Sequence, residues 1–222
     1  MEDPDAFEAA GIVIRMLQRL MKTIADKGDT GSTARTAIGD TIANAYPLLR
    51  SDSIGPSLDN CFDLCQQSGA TFYHLEQVRV WVTAETPQTL GGTLVQNAGI
   101  QLCLATEGRI IADMIFVSRE GVEAVKATIQ LPFGDAEETA ADDMAQMTYQ
   151  SLISLHAAII NHLVQTALPL PRMLDYSFTA IWPSLVIAYK LYSDASRADG
   201  VRDGNQIVHP AFCPLLGQAL SS

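Results

Sequence analysis

The stretch MAQMTYQSLISLHAAIINHLVQTALPLP, residues 144–171, decides how the chain is organised. Leu152, Leu155, Ile159 and Leu163 recur at steps of three and four, the stripe of a helix that buries one side. The pattern predicts a helix over Met144–Ala167. Leu168-Pro169-Leu170-Pro171 follows. Proline lacks a backbone donor and pushes the residue before it out of the helical region, so this run stops the helix and sets an extended connection. A boundary is placed there, between a helical domain over 1–170 and a smaller module over 172–222. Charge changes at the same place. Arg172, Lys190, Arg197 and Arg202 balance Asp175, Asp194, Asp199 and Asp203, so the whole net charge of −11 falls in the first 171 residues.

Upstream of that helix the pattern is helical throughout. Ile12, Met16, Leu20 and Ile24 step by four through Phe7–Ala25, with Val13, Leu17 and Met21 beside them. Turn residues Lys27–Gly31 end this helix, and Ser32 is the expected cap of a second one running toward Leu49, with Asn44 and Pro47 leaving its end open. Asp52 or Ser53 caps the next helix, through Leu58, Cys61, Phe62 and Cys65, and Gly69 stops it. Phe72–Val82 has strand-like chemistry, yet Leu75, Val78 and Val82 keep helical spacing, so helix is expected. Glu85-Thr86-Pro87 ends it, and a long helix is expected from Thr93 through Ile115. Ser118 caps another helix, with Glu120 and Glu123 in its first turns, and Pro132 is expected to kink or interrupt it. The acidic residues Asp135, Glu137, Glu138, Asp142 and Asp143 lack the spacing and turn glycine of a calcium loop and read as a solvated helix face.

Beyond Pro171 the signals change. Met173–Ala180 alternates weakly, as a strand does. Trp182-Pro183-Ser184 opens a helix whose apolar face is Leu185, Val186, Ala188, Tyr189 and Tyr192. Asp194 or Ser196 starts a second short helix ending at Gly204 or Asn205. Ile207–Pro210 is expected to be extended, and Gly217–Leu220 to lead into a final strand. The expected fold is therefore mainly α: a multi-helix body followed by a small βααβ module.

At 222 residues, with 48% hydrophobic and 18% charged side chains, the chain is ordinary globular material of one or two domains. A chain of this size buries roughly 70% of its unfolded surface. A net charge of −11 lacks the positive footprint of a phosphate-backbone binder, so direct nucleic-acid binding is not expected. The acidic start, Met1-Glu2-Asp3-Pro4-Asp5, lacks the basic-then-apolar order of a secretory signal, and none is expected. The uncharged runs 86–106 and 144–171 carry too many amides, histidines and glycines for a bilayer centre, so no membrane span is expected. Cys61, Cys65, Cys103 and Cys213 are too few for a disulfide scaffold and read as small buried side chains.

Phosphate-binding loops, nucleophile elbows and zinc-helix motifs do not occur. His74, His156, His162 and His209 are scattered, and the six-residue gap between His156 and His162 does not give a shared metal face. No catalytic residue, cofactor site or metal site is assigned, and the chain does not read as an enzyme. The aromatic residues that remain, Tyr176, Trp182, Tyr189, Tyr192 and Phe212, together with His209, are expected to serve the C-terminal module as core or as partner interface.

The C-terminal order of strand, helix, helix, strand resembles a LysM module. Pro183-Ser184-Leu185, the turn Leu191–Arg197 and the run Asn205–Phe212 carry this resemblance. Ser193 stands where such modules usually have glycine, His209-Pro210 where they have Asn-Pro, and Leu216-Gly217 where they have Pro-Gly. A wider resemblance rests on Leu168–Arg172, Pro183–Ala188, Asp194–Asp199 and His209–Phe212. More weakly, it rests on Ala84–Pro87, Asn97-Ala98, Phe116–Arg119 and Ala140–Asp143. Together these blocks are similar to the Mu-like bacteriophage DNA circularization protein family. Members of that family usually add an N-terminal β-rich domain, so this chain is expected to be a split or shortened form. The resemblance implies a virion protein of a tailed-phage tail hub or baseplate, assembled in the bacterial host cytoplasm. It would clamp tube, hub and wedge proteins in several symmetric copies. Two alternatives stay open: a LysM-like peptidoglycan-binding tail module, and a DNA-end binding or circularization factor.

Overall fold

The computed structural model describes residues 3–221; Met1 and Glu2 of the acidic start, and Ser222 of the module, lie outside the described residues. Eight helices come first: α1 (Asp3–Met21), α2 (Asp29–Ala43), α3 (Ala45–Arg50), α4 (Ile54–Gln67), α5 (Phe72–Thr83), α6 (Leu90–Asp113), α7 (Arg119–Asp142) and α8 (Gln146–Ala167). Then follow β1 (Met173–Ser177), α9 (Ser184–Tyr192), a 3-10 turn at Ala195–Arg197, α10 (Ala198–Gly204) and β2 (Leu216–Leu220). The fold is mainly helical with a small antiparallel sheet near the C-terminus.

The chain divides into two units, Met1–Met114 with Ile129–Ile159, and Ile115–Thr128 with Ile160–Ser222. The second unit thus holds the start of α7 and the end of α8 as well as the C-terminal strands and helices.

In the first unit α1 is the central element, in contact with α2, α3, α4, α5 and α6. Its stripe of Ile12, Met16 and Leu20, joined by Val13 and Leu17, is buried. Between α1 and α2 the Asp26 carboxylate accepts the backbone N–H groups of Gly28 and Gly31 at 2.9 and 2.7 Å. These donors hold Asp26 below the usual carboxylate range. Asp26 therefore serves the N–H of Gly31 in the first turn of α2, which starts at Asp29, and that of Gly28 just before it, and Ser32 is not the cap. Asn44 separates α2 from α3, so the expected helix to Leu49 is two. Gly69 follows α4 with φ +87°, a conformation that suits glycine. Thr71 and His74 then form a reciprocal capping box that starts α5 and settles Phe72–Thr83 as helix.

Further expectations change in detail. Thr89 caps α6 through the N–H of Gly92, one turn earlier than Thr93, and α6 stops at Asp113, short of Ile115. Ser118 does accept the Gly121 N–H at the start of α7. Pro132 does not interrupt α7. Losing one donor removes one rung of the ladder, and the buried side chains of Ile129, Phe133 and Ala136 hold the helix on either side of it. Asp135, Glu138, Asp142 and Asp143 are solvent-exposed, whereas half-buried Glu137 meets His156. Among the described residues no helix is long and apolar enough to cross a membrane.

Candidate functional site

The second unit is built on β1 and β2, paired antiparallel with Met173 opposite Leu220 and Tyr176 opposite Gly217. Its core gathers Tyr176, Ile187, Ala188, Ala198, Val201, Cys213 and Ala219, with Phe178, Trp182, Leu191, Tyr192 and Ile207 packed against it. Pro183 leads into α9, and Asp194 caps the 3-10 turn by accepting from the Ser196 N–H at 2.9 Å; the Ser196 side chain and N–H together lower its pKa. The segment 207–212 is a sequence of turns and bends, not an extended strand. It is pinned by the Ser184 N–H donating to the Pro210 carbonyl at 2.7 Å and the Cys213 N–H donating to the Trp182 carbonyl at 3.2 Å.

Two side-chain arrangements close this unit. Asn205 donates to the carbonyls of Val201 and Gln218 at 2.8 and 2.7 Å and accepts the Gln218 N–H at 2.6 Å. One side chain thereby ties α10 to the middle of β2. Tyr176 is buried and its hydroxyl meets no hydrogen-bond partner among the described residues; burial raises its pKa. At the start of β1 the Met173 N–H donates to the Glu120 carboxylate at 2.7 Å, and before it Arg119 donates to the carbonyls of Ala167 and Leu168. These contacts attach the start of α7 to the run that leads into β1.

The six residues singled out in the sequence separate by environment. Tyr176 is core. Trp182 and Tyr192 are half-buried, and each carries a cation: Lys190 lies 4.5 Å from the Trp182 ring centre and Arg197 3.8 Å from that of Tyr192. Tyr189, 63% exposed, and Phe212, 69% exposed, face solvent. His209 is exposed too, with its ring 5.2 Å from that of Phe212 and its Nδ1 accepting the Ala211 N–H at 3.2 Å. Leu185, one turn before Tyr189 on α9, is also exposed. The unit therefore keeps a closed core and presents Leu185, Tyr189 and Phe212 outward.

The first unit holds a feature that the sequence reading passed over. Arg79 on α5 and Glu107 on α6 form a buried ion pair in which Arg79 Nε donates to both carboxylate oxygens, at 2.9 and 3.2 Å. Burial pushes the Glu107 carboxyl up to about 7, against the pull of Arg79. The signal was available. Each is a charge set among apolar residues at helical spacing, Leu75, Val78 and Val82 around Arg79 and Cys103, Leu104 and Ile111 around Glu107, so each side chain points inward.

Two of the histidines have local structural roles. His74 completes the α5 cap, and His156 stacks on Phe133 at 4.8 Å with Nδ1 2.9 Å from Glu137. All four cysteines are free and buried, and burial pushes the Cys65 thiol up to about 12. Such thiols are poor nucleophiles. Among the described residues no group of three or more His, Cys, Asp and Glu side chains is placed to hold a metal ion. No protein-family model matches the chain, and comparison with curated proteins finds no match.

Proposed function

We propose that this protein is a structural component of a tailed-phage tail, at the hub or baseplate, where its C-terminal LysM-like module docks onto neighbouring tail proteins. The observation that carries this reading is a βααβ unit that satisfies its own core and still leaves Leu185, Tyr189 and Phe212 on its surface. Interfaces concentrate such aromatic and aliphatic anchors, and an exposed tyrosine and phenylalanine gain most from a partner that desolvates them. The net charge of the chain, −11, supports protein neighbours over a phosphate backbone. Arg202 is already engaged by Asp199 and Asp203, at 3.2 and 3.0 Å.

The geometry supports docking better than sugar binding. The groove of about 470 Å³ beside the start of α9 is lined by Leu185, Ser196, Asp199, Arg202, Pro210 and their neighbours, and no aromatic ring lines it. Sugar subsites depend on such rings for stacking.

The test is a double substitution, Tyr189→Ser with Phe212→Ser, in phage-producing cells, with tails purified and probed for the protein. Retained solubility with loss from the tails is the expected result. Normal incorporation of the variant overturns the docking reading, and retention of the purified wild-type protein on cell-wall glycan at physiological salt moves the assignment to the peptidoglycan alternative.

A further inference from the structure

A cavity of about 350 Å³ lies in the first unit among α5, α6 and α7. Arg79 lines it, together with Val80, Thr83, Gln96, Ile100, Pro132 and Asp135. Arg79 is only 4% exposed. Its Nε is committed to Glu107, and among the described residues no acceptor lies within reach of its two terminal nitrogens. Those nitrogens are not sealed in protein, since His156 and Tyr176 alone among the described residues have side-chain polar atoms both buried and unpartnered. The open space that Arg79 borders is this cavity. A guanidinium has five donors in a rigid fork. Arg79 brings that fork to the lining of a small-molecule-sized space, and its terminal nitrogens make no hydrogen bond among the described residues.

We propose that this cavity is a binding site for an α-amino acid with an apolar side chain, its carboxylate on Arg79 and its ammonium on Asp135. The guanidinium fork matches a planar carboxylate with two parallel hydrogen bonds. Phosphate fits the charges poorly, because its second negative charge would face both Glu107, already on Arg79, and Asp135. A zwitterion meets one cation and one anion. Gln96 adds a second acceptor for the ammonium: its Nε2 is held by the carbonyls of Val82 and Glu85 at 2.9 and 2.7 Å, which leaves the amide oxygen as its free end. Val80, Ile100 and Pro132 supply an apolar wall for the side chain. The site lies wholly in the first unit and is independent of the docking surface of the second.

Calorimetric titration of the full-length protein tests this with three probes: L-valine, 3-methylbutanoate (the same skeleton without the amine) and inorganic phosphate. Saturable binding of L-valine is expected, with 3-methylbutanoate weaker by about tenfold. Asp135→Asn, a change at an exposed position, weakens L-valine by about tenfold and removes its advantage over 3-methylbutanoate. Arg79→Lys keeps the charge beside Glu107, loses the fork and weakens both carboxylates. The proposal is overturned by no saturable L-valine signal up to about 10 mM. It is equally overturned by phosphate binding tighter than L-valine, or by an L-valine affinity that Asp135→Asn leaves unchanged.

Discussion

Tyr176 and Gly217 face each other across the β1–β2 ladder, and the phenol of Tyr176 fills the space where a side chain at 217 would begin. A Cβ there would lie 2.5 Å from Tyr176 Cζ and 2.6 Å from Asn205 Oδ1. Gly217→Ala therefore forces the ring or the ladder to move, and overpacking of this kind destabilises by about 1–3 kcal/mol. Tyr176→Phe removes an unpartnered buried hydroxyl and is expected to be neutral or stabilising by up to about 1 kcal/mol. Combining the two restores part of the loss, because the hydroxyl is among the atoms that collide. Urea denaturation of the four proteins of this cycle checks the coupling; strict additivity would refute it.

Ser193 ends α9 in the left-handed conformation, φ 56° and ψ 22°. Glycine adopts this geometry without the steric clash that any Cβ brings, so Ser193→Gly is expected to stabilise the protein by about 1 kcal/mol. The side chain is exposed, which keeps lost contacts out of the comparison. Thermal denaturation reads the change, and a lowered Tm would contradict it.

Asn205 replaces a strand neighbour for β2, with its amide pairing to both the N–H and the C=O of Gln218. Asn205→Ala deletes these bonds and the one to Val201, at a cost of about 1–3 kcal/mol. Hydrogen exchange at the Gln218 amide is the local readout. Protection is expected to fall in Asn205→Ala. Asn205→Asp keeps an acceptor for that amide but sets a carboxylate oxygen against the Gln218 carbonyl, so it does not restore stability.

The Glu107 carboxyl, raised to about 7 by burial, ties stability to pH. Between the ordinary 4.5 of the unfolded chain and about 7, the folded protein holds a proton that the unfolded chain has released. Stability contributed by this group is full below 4.5, falls as pH rises and is gone above about 7, a span of roughly 3 kcal/mol. Urea unfolding at a series of pH values from acid to neutral is expected to show this decline in the wild type and a flatter profile in Glu107→Gln. Identical slopes in the two proteins would refute the assignment.

Helical periodicity made most of the body legible. The i, i+4 stripe of α1 and the Leu152–Leu163 stripe of α8 stand out because burial of one face repeats along the sequence. The C-terminal order of strand, helix, helix and strand was also legible, since Pro183, Asp194 and the short alternating runs punctuate it locally. What escaped reading depends on partners far apart in the chain. Asn205 meets Gln218, 13 residues on, only after β2 has folded back. Arg79 and Glu107 sit 28 residues apart on different helices, and spacing within either helix cannot name the other. Pro132, expected to kink or interrupt α7, does not interrupt it, because the rule about one missing donor is outweighed by burial on both sides of it.

With the Asn205 amide seated on its outer rim, the two-stranded ribbon is end-stopped at β2. On the other rim the Met173 N–H is taken by the Glu120 carboxylate, so each edge of the ribbon holds a side chain where a foreign strand would have to pair. Both rims thus carry a guard against the edge-to-edge pairing that leads to open-ended fibre growth.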